Sequence, residues 1–82
     1  MVYKAKVTIT LRKSILDAQG SAIEKATKKV GYDKVSNIRV GKIIELNVEA
    51  KDKAEAAETA KKLSNELLAN TVMEDFIVEI YE

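Results

Sequence analysis

The stretch "VSNIRVGKIIELNVEA", Val35 to Ala50, decides the fold. Ile38, Val40, Ile44, Leu46, Val48 and Ala50 keep one parity, broken only by Lys42, so the run reads as one long strand or as a hairpin turning near Gly41. Parity separates the two. A two-residue turn at Gly41 and Lys42 would set Val40 against Ile43 and Ile38 against Glu45, throwing the apolar residues of the second arm onto the wrong face. A three-residue loop through Ile43 would keep the faces, but it needs a left-handed residue at its last position, where a β-branched side chain is costly. One strand, bent near Gly41, is the expectation. Its 16 residues, at about 3.3 Å each, would span roughly 53 Å if straight. A compact domain of this length has a radius of gyration of about 12 Å and a diameter of roughly 30 Å. Such a strand must bend sharply or pair with another subunit.

The flanking segments complete the order of elements. Upstream, "VYKAKVTITL" alternates: Tyr3, Ala5, Val7, Ile9 and Leu11 are apolar, and Lys4, Lys6, Thr8 and Thr10 are polar, a strand with one buried face. From Ala22 the pattern turns helical. Ala22, Ile23, Ala26 and Val30 share a face, Glu24, Lys25, Lys28 and Lys29 cover the other, and Gly31 supplies a left-handed stop. Downstream, Asp52 caps a second helix with Glu55 three positions on; its stripe is Ala56, Ala60, Leu63 and Leu67, with Ala57 and Leu68 beside it, and Asn70 suits its exit. "DFIVEIY" is a last strand burying Phe76, Val78 and Ile80. The sequence predicts an α+β domain of order β-α-β-α-β over residues 1–82. Its sheet is mainly antiparallel, with two helices on one face and a long central strand.

Composition limits the chemistry. A chain of 82 residues builds a modest core, which makes oligomerisation a reasonable expectation. It has no cysteine and no histidine, so thiol nucleophiles, disulfides, the usual zinc sites and the commonest general base near neutral pH are all missing. Lys and Arg number 14 against 13 Asp and Glu, and the two signs read as interspersed, with no footprint for nucleic acid or anionic lipid. No apolar run nears the roughly 20 residues of a membrane span, and the start alternates instead of forming a signal-peptide block, so a soluble cytoplasmic protein is expected.

A search for catalytic groups finds none. Ser14, Ser21, Ser36 and Ser64 lack a histidine to activate them. Glu74 and Asp75 are neighbours on a strand and point to opposite faces. Gly20, Gly31 and Gly41 match no phosphate-binding fingerprint. Tyr3 and Phe76 belong to the core instead of a stacking platform for RNA. Lys42, on an otherwise apolar parity, either turns its ammonium into solvent at the bend or contacts another subunit. The segment "SILDAQGSAIEKA" is elaborate for a strand-to-helix turn. Its helix can start with Asp17 as cap, or with Ser21 and Glu24 as a capping box. In the second case Asp17 and Gln19 stand free and Gly20 admits a partner's backbone.

With these segments placed, the chain strongly resembles the PurS family, the small subunits of phosphoribosylformylglycinamidine synthase, over essentially its full length. Leu16, Asp17, Gln19 and Gly20 match the family's first motif, with Ala18 where proline is usual. Gly41, Lys42, Ile43, Glu45 and Leu46 match its glycine–lysine element. Leu67, Leu68, Ala69, Asn70, Val72, Glu74 and Asp75 match a third segment, with Thr71 in place of proline.

The resemblance implies a non-catalytic subunit of a glutamine-dependent, ATP-consuming C–N ligase of purine biosynthesis. It carries no catalytic residue, cofactor or metal itself. The expected partners are a large synthetase subunit, which uses ATP and Mg, and a class I glutaminase; no nucleic acid or membrane is involved. The complex converts formylglycinamide ribonucleotide, glutamine and ATP to formylglycinamidine ribonucleotide, and this chain would hold the two enzymes together and support ammonia transfer. A homo-oligomer, dimer or tetramer, is expected through the long strand at Ile44 and Leu46. Partner contact is expected at Asp17, Gln19, Gly20 and Lys42. The alternative function is a regulatory α+β domain that senses a small molecule.

Overall fold

The structure, a computed structural model, describes residues 1–82. Strand β1 (Val2–Leu11) leads to helix α1 (Ala18–Lys29), strand β2 (Gly41–Glu49), helix α2 (Lys53–Leu63) with a π-helical turn at Ser64–Leu68, and strand β3 (Glu74–Tyr81). The sheet is antiparallel, in the order β2-β1-β3. Its register stacks the predicted apolar parities in rows: Ala5 lies between Leu46 and Ile80, and Val7 between Ile44 and Val78. Val7 and Ile9 are fully enclosed, each contributing about 1.5–3 kcal/mol by burial.

Helix α2 covers one end of this face. Asp52 caps it, accepting from the Glu55 N–H at 2.8 Å, and Glu55 reaches back to the Lys51 N–H at 3.4 Å. Ala56 and Ala60 pack on Tyr3, Ala5, Val48 and Ala50. The short alanines let the helix lie close to the sheet. The expected stripe fails at its last member, since Leu67 is 74% exposed. The cause is the π-helical turn, closed by the Ala69 N–H on the Ser64 carbonyl at 2.9 Å. One extra residue in the turn advances the register by about 100° and swings Leu67 outward, while Leu68 becomes half-buried.

Three expectations are corrected. The run 35–50 is one path without a hairpin, but only Gly41–Glu49 joins the ladder; Asn37 takes a left-handed φ of 56° and interrupts the extended line before it. That strand lies at the sheet edge, and β1 is the central one, because β1 supplies apolar residues along its full length and is paired on both sides. Finally, the stripe of α1 meets no strand. Ala22, Ile23, Ala26 and Val30 are all exposed, and the only buried residue of α1 is Gly20. The helix starts on the same side of the sheet as α2 but projects past its end, capped off by Gly31 at φ 96°. The molecule is therefore a slab of 51 × 25 × 14 Å with a radius of gyration of 16.3 Å, well above the roughly 12 Å of a compact chain this long.

Candidate functional site

The end of the sheet from which α1 projects gathers three distant stretches: residues 12–24, 37–42 and 67–75. Asp17 is the pivot. It caps α1, its Oδ1 accepting from the Gly20 N–H at 2.8 Å, and its Oδ2 accepts from the Val40 N–H at 2.6 Å. The Arg39 guanidinium lies 3.9 Å away. The Val40 and Gly20 amides, more than this arginine, hold the buried carboxyl below the ordinary carboxylate range. The carboxylate of Glu24, two turns further along, accepts from the Ile38 N–H at 3.1 Å. The segment before β2 is thus tied to α1 by side-chain carboxylates where a neighbouring strand would otherwise supply partners.

Gly20 makes this approach feasible. A Cβ there would run into the Ile38 carbonyl oxygen and press on the Asp17 carboxylate. Gly41 serves the sheet in the same way, since a Cβ on it would sit 2.8 Å from the Ile9 carbonyl oxygen. Lys42, on the helix side of β2, reaches across the sheet to Glu74 at 3.9 Å, and the other oxygen of Glu74 accepts from the Asn70 N–H at 2.7 Å. Arg12 joins the third stretch to the first. Its N–H donates to the Met73 carbonyl at 2.9 Å, its guanidinium to the Thr71 carbonyl and to Asp75 at 3.3 Å, and its own carbonyl accepts from Arg39 at 2.9 Å.

Between these stretches runs an open groove of about 380 Å³. Leu11, Leu16, Ala18 and Val40 give it apolar walls with Ile9 beneath, and Gln19, Lys42 and Glu74 stand along it. Leu16 is 82% exposed. Of the residues expected to meet a partner, Asp17 and Gly20 face inward and organise the chain's own backbone, whereas Gln19 and Lys42 remain accessible beside the groove. The cap of α1 is Asp17, not Ser21. Ile44 and Leu46 sit half-buried further along β2, outside the groove.

Arg12 and Arg39 escaped the sequence reading because a cation at a strand end carries no periodic signal. Their pairing with main-chain carbonyls follows from tertiary placement alone. Charge along the chain held a clue of its own: between Arg12 and Lys42 there are eight Lys and Arg against three Asp and Glu, and beyond Lys42 the acidic residues dominate. The signs are segregated, contrary to the first impression of even mixing. No three His, Cys, Asp or Glu side chains come together as a metal site, and the buried hydroxyl of Ser64 donates to the Ala60 carbonyl of its own helix at 2.7 Å. What this end of the molecule offers is a shaped, partly apolar surface on a braced backbone.

Residues 4–82 match the family model described as PurS, phosphoribosylformylglycinamidine (FGAM) synthase. The chain is 44% identical to the PurS subunit of Synechocystis over 78 residues, covering 95% of this chain and 78% of the relative. It is 41% identical to that of Bacillus subtilis over 81 residues, covering 99% and 95%. The structure of B. subtilis PurS superimposes with a TM-score of 0.86 at 40% identity, over 98% of this chain and 99% of that one. A chain in the structure of PurLQS from Thermotoga maritima gives 0.89 at 34% identity, over 98% of each.

Proposed function

Because the chain belongs to the PurS family of phosphoribosylformylglycinamidine synthase subunits, we propose that it is the non-catalytic small subunit that joins the synthetase to the glutaminase and supports passage of ammonia between them. The observation that carries this reading is convergence. The three stretches that resemble the family pattern, around Asp17, Gly41 and Asn70, are far apart in sequence and meet at one end of the slab. Their contacts there brace backbone and leave a groove, as suits a docking surface. In this assembly, placed in the cytoplasm, ATP and Mg belong to the synthetase and the nucleophile that releases ammonia belongs to the glutaminase.

The uncovered face of α1 and the free outer edge of β2 support a homo-oligomer. Ile23 and Val30 are 42% and 71% exposed, and an edge strand presents unpaired main-chain groups. A second copy laid along β2, with Ile44 and Leu46 in a shared core, would cover both.

The test is reconstitution. The chain alone hydrolyses neither ATP nor glutamine, and omitting it from the mixture with synthetase and glutaminase abolishes glutamine-dependent turnover. Full glutamine-dependent turnover by the other two subunits in its absence defeats the reading.

A further inference from the structure

We infer that the groove beside the start of α1 receives an apolar side chain flanked by carboxylates, carried by a partner subunit of different sequence. This rests on the bridging role proposed above and names the chemistry of the segment that would dock.

The groove has apolar walls, and cations stand in and beside it. Leu11, Leu16 and Val40 line it, and Leu16 stands at its rim almost wholly in solvent, an arrangement that burial under another apolar side chain would relieve. Its acidic groups are already engaged: Asp17 by two main-chain N–H groups, Glu74 by the Asn70 N–H and by Lys42. No buried polar side-chain atom is left without a hydrogen bond. A polar metabolite would therefore find few free groups to orient it, whereas a pocket that binds such ligands carries several convergent ones. The groove fits an anchor residue better than a metabolite.

The cations decide what flanks the anchor. Lys42 lies in the groove, and Lys13 and Arg39 line the adjoining cleft with Asn37. Lys13 pairs with no carboxylate at all. The carboxylates that Arg39 and Lys42 approach, at 3.9 Å in each case, are shared with main-chain donors, so positive potential is left at the rim. Carboxylates placed on either side of an apolar anchor would meet it, giving orientation and a salt-sensitive association rate.

The experiment uses the full chain with the synthetase and the glutaminase. Two exposed positions are changed, Leu16→Asp and Lys13→Glu, and four quantities are followed: the dissociation constant for each partner at low and high salt, the size of the isolated chain, its melting temperature, and its thermal response to a panel of amino acids and nucleotides. Leu16→Asp is expected to weaken one partner complex by about tenfold or more, the scale of losing an interface anchor. Lys13→Glu is expected to weaken the same complex at low salt, with the difference shrinking as salt rises. Neither should change melting or self-association. The inference is overturned if both variants bind the partners as the wild type does. It is equally overturned if the loss is confined to self-association, which makes a second copy the occupant, or if a small molecule stabilises the wild type and fails to stabilise Leu16→Asp. Should Leu16→Asp lower the melting temperature, Lys13→Glu decides alone. A wild-type chain that binds neither partner removes the bridging role itself, and the groove assignment falls with it.

Discussion

Gly20 is the position at which one methyl group should matter most. It is the third residue of α1, where alanine would normally stabilise a helix by about 1 kcal/mol over glycine. Here the added carbon meets the Ile38 carbonyl oxygen, with the Asp17 carboxylate 3.0 to 3.1 Å away, and a main-chain oxygen cannot rotate aside. Overpacking of this kind costs about 1–3 kcal/mol, and the closeness of the clash puts it at the upper end, so the net loss for Gly20→Ala is about 2 kcal/mol. At about 4–8 °C per kcal/mol for a domain this small, melting should fall by about 8–16 °C. Because α1 buries nothing else against the sheet, the strain can also be released by letting residues 38–40 come away. The assay therefore pairs a thermal melt with hydrogen exchange at the Val40 and Ile38 amides, which Asp17 and Glu24 protect. Ser21→Ala, in the same helix turn without the clash, reports propensity alone. If Gly20→Ala melts at or above the wild type with the Val40 amide still protected, the proposed seat of α1 on the 38–40 segment is wrong.

Ala18→Pro should stabilise, because residue 18 is the first of the helix, where proline fits, and Asp17 before it is extended at φ −97° and ψ 91°; a gain of about 0.4–1 kcal/mol would raise melting by about 2–8 °C. Ile44→Lys or Leu46→Lys should yield an unstable monomer by sizing and melting, since each puts a charge into half-buried apolar surroundings; a variant that stays oligomeric with unchanged melting counts against the shared strand. Asp17 has a folded-state pKa below its unfolded value, so its contribution to stability is complete above the ordinary carboxylate pKa and is lost as pH falls through the lowered one. Melting curves taken from pH 7 downward should show Asp17→Asn less stable than wild type at neutral pH, and the gap should narrow below about pH 4; a gap that stays constant down to the lowest pH contradicts the assignment.

Period and parity carried most of the sheet. Tyr3, Ala5, Val7 and Ile9 alternate with polar residues, and all four are buried as that pattern requires. Caps were legible for the same reason: Asp52 with Glu55, and Gly31 after Val30, are local signals satisfied by local hydrogen bonds. Amphipathicity misled at α1, because a stripe shows that a helix has an apolar face without showing that its own chain covers it. The onset of β2 was hidden as well, since Ile38 and Val40 keep the strand parity while their amides turn to Glu24 and Asp17. At Ser64 the helix widens into a π turn that no period of 3.6 predicts. Within the candidate site, the motif residues were visible as a resemblance, but the inward orientation of Asp17 and Gly20 depends on contacts more than 15 residues away.

The thinness of the slab bears on how such a chain persists in a cell. With 11 of 82 residues buried, it has little interior to resist unfolding by itself. Every binding event that favours the folded form raises its population by mass action. Copies held in an assembly are then sheltered, while surplus copies open more often and meet proteases in that state. Turnover of the surplus would match the amount of this chain to the amount of whatever it binds, a stoichiometric control that needs no dedicated regulator.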